Sequence, residues 1–243
     1  MNKKSSTKDL ALSSNERLSI NNKSIFSPKK FSNIKPNGFK IYTFHAGFKN
    51  KSRDLLFVIF DKVVSCASIY SKTSAPSAPI IWDKKYNKGF VKALIVNSGN
   101  ANAHTGKQGI KIINDYVTSL SKFIGCKKNE ILVSSTGVIG EVFDPNLIIN
   151  KISQINKNTE GNLLDAAKTI MTTDTYPKIL VKKVNINKRN FKIYGFAKGS
   201  GMIQPNMGTM LAYIFIEAGV SKNILNKLLK NNIENTFNSI SVD

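Results

Sequence analysis

The sequence has few of the residues that build metal sites and disulfide frameworks. Its 243 residues include two cysteines, Cys66 and Cys126, and two histidines, His45 and His104. The cysteines do not have the spacing of a zinc site, and two histidines give a metal centre or a Ser-His-Asp triad little material. Both cysteines adjoin apolar residues, which predicts buried thiols in a reducing compartment. We therefore expect a cytoplasmic protein without a metal.

Acidic residues are also scarce, since 15 Asp and Glu stand against 36 Lys and Arg, a formal net charge of +21. This excess favours attraction to polyanions. However, the arginines that best recognise phosphates and base edges are only Arg17, Arg53 and Arg189. The sequence therefore predicts no specific nucleic-acid partner. A polyanion-binding protein remains an alternative, and its signature would be weak binding whose log affinity falls with log salt.

Long hydrophobic runs are absent, and none approaches the roughly 20 apolar residues that a membrane-spanning helix needs. Residues 1–33 lack the apolar core of a signal peptide and are polar and rich in lysine. They are predicted to form a mobile basic leader. The rest of the chain is long enough to bury a substantial core. We expect a globular protein with no membrane partner.

Strand-length apolar runs alternate with stripes at helical spacing. Strands are predicted at 54–60, 63–70, 91–96, 130–134, 179–186, 191–197 and 209–217, and helices near 110–123, from Asp144-Pro145, at 163–171 and from Ser221 to Phe237. Residues 74–79 are predicted to be an extended loop. The first two strands and the pair 179–186 and 191–197 are predicted hairpins. The predicted fold is therefore α/β of the α+β type, with layers of mixed, largely antiparallel sheets flanked by helices.

The bond between Gly208 and Thr209 is a candidate for self-cleavage. It ends a glycine-rich loop, 198–208, and enters the predicted strand 209–217. The threonine hydroxyl can attack the preceding carbonyl, where glycine removes side-chain obstruction and tolerates strain. Hydrolysis of the resulting ester would make Thr209 a new N-terminus, whose hydroxyl is a nucleophile with its own α-amine as base. A simple glycine-rich turn before a core strand is the alternative.

Four polar, glycine-containing loops lie at the ends of predicted elements, where functional sites are often assembled. They contain Asn97-Ser98-Gly99-Asn100-Ala101-Asn102, Ser135-Thr136-Gly137, Thr172-Thr173-Asp174-Thr175 and Lys198-Gly199-Ser200-Gly201. Any one of these loops could be an ordinary turn. Together, in this order and followed by Thr209, they resemble the ornithine acetyltransferase family, the ArgJ-type glutamate N-acetyltransferases of arginine biosynthesis. The resemblance runs from about Ile34 to the last residue.

The resemblance implies an acetyltransferase that cuts itself before Thr209 and works by a ping-pong mechanism. N-acetylornithine would give its acetyl group to Thr209, ornithine would leave, and glutamate would become N-acetylglutamate. No cofactor is implied, although bifunctional members also accept acetyl-CoA as a donor. The implied architecture is the Ntn-hydrolase-like DmpA/ArgJ sandwich, assembled as a heterotetramer of two alpha and two beta chains. Residues 34–208 would be the alpha segment, and 209–243 the start of the beta segment.

The resemblance also assigns site residues. Thr136, through its hydroxyl, and Gly137, through its backbone N–H, match the oxyanion-hole pair, which stabilises the tetrahedral intermediate of acyl transfer. Lys198 can meet the substrate α-carboxylate as a point charge. Thr172 matches a substrate-contacting position, as does the nucleophile Thr209.

Several of these residues could instead have purely structural roles. Thr172 and Asp174 could cap the preceding helix, and Lys198 could be one more solvated lysine. The asparagines of the first loop could serve hydrogen bonding within that loop, and they are not placed in the site.

Members of the resembling family continue past residue 243 with a part that supplies an acidic residue near the nucleophile and further substrate contacts. The resemblance therefore implies that this chain holds an incomplete acceptor pocket and is catalytically poor alone. A second enzymatic interpretation is an N-terminal-threonine aminopeptidase or amidohydrolase of related fold, in which water replaces glutamate. The loops at Thr136-Gly137 and 171–178 favour the transferase.

Overall fold

The computed structural model describes residues 34–201, 203 and 210–242. Within them, seven strands form a four-stranded and a three-stranded sheet. No helix in this part of the chain is long and apolar enough to cross a membrane.

The first sheet combines antiparallel and parallel pairing. Its strands are β1 (Phe39–Phe44), β2 (Leu55–Ser65), β3 (Phe90–Asn100) and β4 (Ile131–Val138), in that spatial order. The pairs β1–β2 and β2–β3 are antiparallel, whereas β3 and β4 are parallel. A parallel pair needs a long crossover, which here contains the helix α2 (Gly106–Ile124). The carboxyl ends of β3 and β4 therefore lie side by side.

The second sheet is fully antiparallel and consists of β5 (Lys178–Ile186), β6 (Arg189–Lys198) and β7 (Leu211–Ile216). The β5–β6 turn has positive φ at both Asn187 (51°) and Lys188 (63°). This is the turn geometry that matches the twist of a two-residue hairpin. In the pairing of β6 with β7, Lys198 lies opposite Leu211, so the chain returns beside Lys198 after the glycine-rich loop.

The first sheet is buried on both faces. Leu55 and Phe57 of β2 pack with the helices α1 (Ala78–Tyr86), α2 and α3 (Asn146–Ile152). The alternate residues Leu56 and Val58 face the other core, which contains the second sheet and the helix α4 (Leu163–Ile170). Burial on both faces explains why β2 reads as a continuous apolar run instead of an alternating one.

Two predicted helices form as expected. In α2 the buried residues Ile113, Val117 and Leu120 follow helical spacing, and Gly125 ends the helix in the left-handed conformation with φ 68°. The helix α4 is capped by Asn162, whose side chain accepts hydrogen bonds from two backbone N–H groups of the first turn. Its carboxyl end leads into the loop that contains Thr172.

The predicted hairpin at 54–60 and 63–70 is wrong. Residues 61 and 62 are not a turn, because β2 runs on to Ser65 through a shift in register between Ile59 and Val64. The antiparallel partner of the apolar run is β1, which the sequence analysis did not identify. A bulged strand keeps polar residues in its middle, and this pattern imitates a turn.

Several other boundaries also differ from the prediction. The segment 74–79 is not all loop, since α1 begins at Ala78 with Pro79 in its first turn, where proline is tolerated. The last helix, α5 (Lys222–Ile233), ends before Phe237, which lies in a short 3-10 turn. The last strand starts at Leu211, and the predicted start at Thr209 lies outside the described residues.

The cysteines are free and half-buried. Burial raises the pKa of both thiols, Cys66 and Cys126, to about 11. Both thiols therefore stay protonated at neutral pH, as unreactive structural cysteines do.

Candidate active site

Glycines bring the ends of β3 and β4 into direct backbone contact. Gly137 has φ +132°, and a Cβ added to it would lie 2.2 Å from the carbonyl carbon of Gly99. Gly99 has φ +115°, and its own Cβ would lie 2.5 Å from the carbonyl oxygen of Phe48. Since any side chain would clash at both positions, only glycine fits this stack. The stack fixes the strand end that carries Thr136.

Lys198 joins two of the predicted site residues. Its Nζ donates to Thr172 Oγ1 at 2.8 Å and to Thr136 Oγ1 at 3.2 Å. The lysine is the last residue of β6 and only 4% exposed. The interpretation of Lys198 as one more solvated lysine is therefore wrong. Its ammonium lies where α4, β4 and β6 end, and it bridges the two threonine hydroxyls.

Asp174 connects the loop after α4 to β5 and β6 next to Lys198. Its Oδ1 accepts hydrogen bonds from Lys178 Nζ at 2.6 Å and from Gly199 N at 2.7 Å. Its Oδ2 accepts from Thr172 N at 3.3 Å. One carboxylate thus ties the loop after α4 to the start of β5 and the end of β6, and both Thr172 and Lys198 are adjacent to its contacts.

The protonation states follow from burial and these contacts. Burial lowers the pKa of Lys198, Lys178 lowers it further, and Asp174 opposes them, so the net pKa is below the usual value. For Asp174, burial acts to raise the pKa, but the hydrogen bonds from Lys178, Gly199 and Thr172 and the charge of Lys178 outweigh it and lower the pKa. Asp174 is therefore ionised at neutral pH, and Lys198 gives up its proton more easily than an exposed lysine.

The arrangement provides donors for an anion. The hydroxyl oxygens of Thr136 and Thr172 accept from the ammonium of Lys198. Each hydroxyl still carries a hydrogen that can donate to a second acceptor. A carboxylate or a developing oxyanion is such an acceptor, and preorganised donors are what acyl transfer requires.

The structure thus brings Thr136, Thr172 and Lys198 together, with Gly137 directly after Thr136. The predicted cleavage residues Gly208 and Thr209 lie outside the described residues. The chain is described again from Met210, the residue bonded to Thr209. A Cβ added to Gly199 would lie 3.7 Å from Met210 Cα, so the chain resumes beside Lys198.

The asparagines of the first loop make hydrogen bonds both within that loop and to neighbouring segments. Asn97 Nδ2 donates to Asn100 O at 2.8 Å, Asn100 Nδ2 to Glu141 O at 2.9 Å, and Asn102 Nδ2 to Gly109 O at 3.2 Å. These contacts hold the carboxyl end of β3 in place, and only the contact of Asn97 with Asn100 lies within the loop.

One nearby charged residue was not found from the sequence. Lys49 Nζ donates to the carbonyl oxygens of Thr169 and Met171 at the end of α4. Nothing in the sequence distinguishes Lys49 from the many other lysines, because its partners are backbone atoms about 120 residues away. Metal ligands do not converge here: in residues 34–201, 203 and 210–242, no group of three or more His, Cys, Asp or Glu could hold a metal ion.

The sequence matches one protein family over most of its length. The profile of the ArgJ family matches residues 40–243. The arginine biosynthesis bifunctional protein ArgJ of Bartonella henselae is 41% identical over 209 residues, which are 85% of this chain and 51% of that protein. The protein of the same name from Rhizobium meliloti is 38% identical over 221 residues, which are 89% of this chain and 54% of that protein. The chain spans about half the length of these relatives.

Solved structures share the fold. The crystal structure of the arginine biosynthesis bifunctional protein ArgJ from Bacillus halodurans superposes with a TM-score of 0.65 at 31% identity, over 72% of this chain and 92% of that chain. Ornithine acetyltransferase from Mycobacterium tuberculosis, complexed with ornithine, gives a TM-score of 0.62 at 26% identity, over 72% of this chain and 94% of that chain. These structures confirm the predicted layered, Ntn-hydrolase-like fold.

Proposed function

The chain belongs to the ArgJ family, and on this basis we propose that it carries the nucleophile and oxyanion site of an acetyltransferase of arginine biosynthesis. The donor would be N-acetylornithine and the acceptor glutamate, with acetyl-CoA as a second donor to be tested. The observation that carries the proposal is the buried ammonium of Lys198, which binds the hydroxyls of Thr136 and Thr172 beside the point where the chain resumes at Met210.

Cleavage between Gly208 and Thr209 would come first. The Thr209 hydroxyl attacks the carbonyl carbon of Gly208, the C–N bond breaks, and water hydrolyses the ester. Thr209 then has a free α-amine, and the chain is divided after residue 208. The pairing of β6 with β7, from Ile193 opposite Ile216 to Lys198 opposite Leu211, spans this cut and would keep the two pieces together.

Acetyl transfer would use the same hydroxyl. Thr209 Oγ attacks the acetyl carbonyl of N-acetylornithine, its proton passes by way of the α-amine to the departing ornithine nitrogen, and an acetyl-threonine ester forms. The Thr136 hydroxyl and the Gly137 N–H would donate to the oxyanion. The glutamate amine then attacks the ester, releases N-acetylglutamate and restores the Thr209 hydroxyl.

Substrate binding would rest on charge. The Lys198 ammonium and the Thr172 hydroxyl can bind an α-carboxylate, a group that donor and acceptor share. The Mycobacterium tuberculosis neighbour was solved with ornithine bound, which supports a ligand of this chemical class.

Two measurements test the proposal on the protein extended to the length of its relatives. The 243-residue chain is assayed in parallel. N-terminal sequencing should find a fragment that begins Thr-Met-Leu-Ala. It should separate only under denaturing conditions, and T209A should stay uncut. A T209A variant cut at the same bond would disprove self-cleavage.

The second measurement is transfer of labelled acetyl from N-acetylornithine. Label should appear in N-acetylglutamate when glutamate is added. Label released only as acetate, with or without glutamate, would instead establish the amidohydrolase alternative.

A further inference from the structure

We propose that Lys49, in the loop between β1 and β2, is a positioning residue that fixes the distance between the Thr136 and Thr172 hydroxyls. The importance of this role for catalysis rests on the proposed acetyl transfer. The contacts that define the role are independent of that proposal. These contacts connect one loop to the end of α4, before Thr172, and to the strand ends that carry Thr136 and Gly137.

The first contact is with the end of α4. Lys49 Nζ donates to Met171 O at 2.7 Å and to Thr169 O at 3.1 Å. The last carbonyls of a helix have no partners within it, and a cation there is also favoured by the helix dipole. Met171 directly precedes Thr172, so the ammonium fixes the chain one residue before the hydroxyl that Lys198 binds. Ser98 Oγ supports this end by donating to Thr169 O at 2.5 Å.

The second contact is with the strand ends that carry the oxyanion pair. Phe48, the residue before Lys49, lies against Gly99, which lies against Gly137. Two adjacent loop residues therefore contact the two parts of the site. Phe48 packs against the glycines beside Thr136, and Lys49 binds the end of α4 before Thr172. Displacing the loop would move Thr136 and Thr172 relative to each other.

The loop itself is anchored by a buried charge. The Asp54 carboxylate, with a side chain 0% exposed, accepts backbone hydrogen bonds from Ala46 at 2.6 Å, Lys49 at 2.9 Å and Gly47 at 3.1 Å. His45 Nδ1 lies 3.3 Å from the same carboxylate. Three N–H donors on one carboxylate hold the loop in a single conformation.

The charges around Lys49 are mixed. The pKa of Lys49 is lowered to about 8, chiefly by burial; the charge of Lys198 also lowers the pKa, whereas Asp54 and Asp174 act to raise it. Lys49 and Lys198 therefore share one polar environment, although only Lys198 reaches the threonine hydroxyls.

A merely structural lysine would stabilise α4 without affecting the reaction, and two variants separate these roles. Lys49→Met keeps the length of the side chain but removes both hydrogen bonds. Lys49→Arg keeps a cation that can reach the two carbonyls. The matched control is Lys92→Met, because Lys92 Nζ also donates to a backbone carbonyl, that of Asp61 at 2.9 Å, at an exposed position.

The variants should be compared in the chain extended to the length of its relatives, by steady-state acetyl transfer and by amide hydrogen exchange. We expect Lys49→Met to lower kcat by about 10²-fold, with a smaller change in KM, because misplacement by about 1 Å has an effect of this size. Exchange should quicken at 170–175. Lys49→Arg should restore most of the lost rate and protection, and Lys92→Met should leave both unchanged.

The inference is overturned if Lys49→Met matches the wild type in rate and exchange, or if folded Lys49→Arg is no better than Lys49→Met. It is also overturned if Lys92→Met loses as much as Lys49→Met. If the wild-type protein transfers no acetyl group, the proposed function fails. Exchange at 170–175 in the lysine variants then decides the positioning role alone.

Discussion

At the scale of single residues, burial and its hydrogen-bond partners distinguish Lys198 from the other lysines. Its ammonium is buried and has two hydroxyl partners, whereas the nearby carboxylate of Asp174 accepts from Lys178 and Gly199. A cation whose direct partners are neutral is available to bind an incoming carboxylate.

This predicts a pH dependence of ligand binding. The pKa of Lys198 lies below its ordinary value of 10.5, and only the charged form attracts a carboxylate. Affinity for N-acetylornithine should therefore be full below that pKa and fall as pH rises through it. Lys198→Arg should keep its affinity to higher pH, because a guanidinium stays protonated. Calorimetric titration from neutral pH up to about pH 10 measures this, and an identical fall in the arginine variant would exclude Lys198 as the carboxylate partner.

Thr136 should matter for the transition state more than for substrate binding. Its hydroxyl accepts from Lys198 and can donate to an oxyanion that exists only during acyl transfer. Thr136→Ala should lower kcat about 10²–10³-fold, the usual effect of losing one such donor. The control is Thr118→Ala, which removes a hydroxyl that bonds Asn114 O within α2. A change confined to KM would mean that Thr136 binds the ground state.

At the scale of secondary-structure elements, the parallel pairing of β3 with β4 builds half of the site. Gly99 lies beside Gly137 in this pairing, and Ser98 beside Thr136. The approach of the two strands at the glycine pair leaves no room for a Cβ. The contact between Gly99 and Gly137 at the strand ends therefore also positions Thr136 and Gly137, the proposed oxyanion pair.

Two glycine substitutions separate the cost of this packing from the cost of a positive φ. Gly137→Ala introduces a clash, whereas Gly140 has φ +86° and no atom within 4 Å of an added Cβ. Gly140→Ala should cost about 1 kcal/mol of unfolding free energy for the strained φ alone. Gly137→Ala should cost a further 1–3 kcal/mol or so for overpacking. Urea denaturation of both variants measures the difference, and equal losses would refute the close contact.

At the scale of the whole molecule, apolar side chains are exposed on α5 and on the outer face of the second sheet. Ile224 and Leu228 of α5 are 54% and 50% exposed, and Leu180 and Ile214 on the outer face of the second sheet are 67% and 56% exposed. None of the residues of α5 is buried. Exposed apolar patches of this kind favour association.

We predict that the 243-residue chain self-associates through α5. The double variant Ile224→Ser, Leu228→Ser should lower the weight-average mass in sedimentation equilibrium. It should change the unfolding free energy by no more than about 0.5 kcal/mol, as is usual for surface sites. Leu180→Ser is the matched control on the second sheet. If Leu180→Ser lowers the mass and the α5 variant does not, the association surface is the sheet.

The sequence by itself determined the features that depend on local chemistry. Helical spacing and Gly125 predicted α2, and two strand-like runs on either side of a polar turn predicted the β5–β6 hairpin. The four loop motifs were sufficient to identify the family, because the residue types at a reactive site are constrained position by position. Thr136, Thr172 and Lys198 could all be named before their contacts were known.

Only the tertiary structure decided which distant groups meet. The partner of the apolar run 54–60 is β1 and not 63–70, because β2 continues through a bulge. Lys198 and Lys49 are distinguished from the other lysines by burial and by partners far along the chain. The physical reason is that periodicity and turn chemistry are written in neighbouring residues, whereas burial and charge environment arise only when separate elements pack.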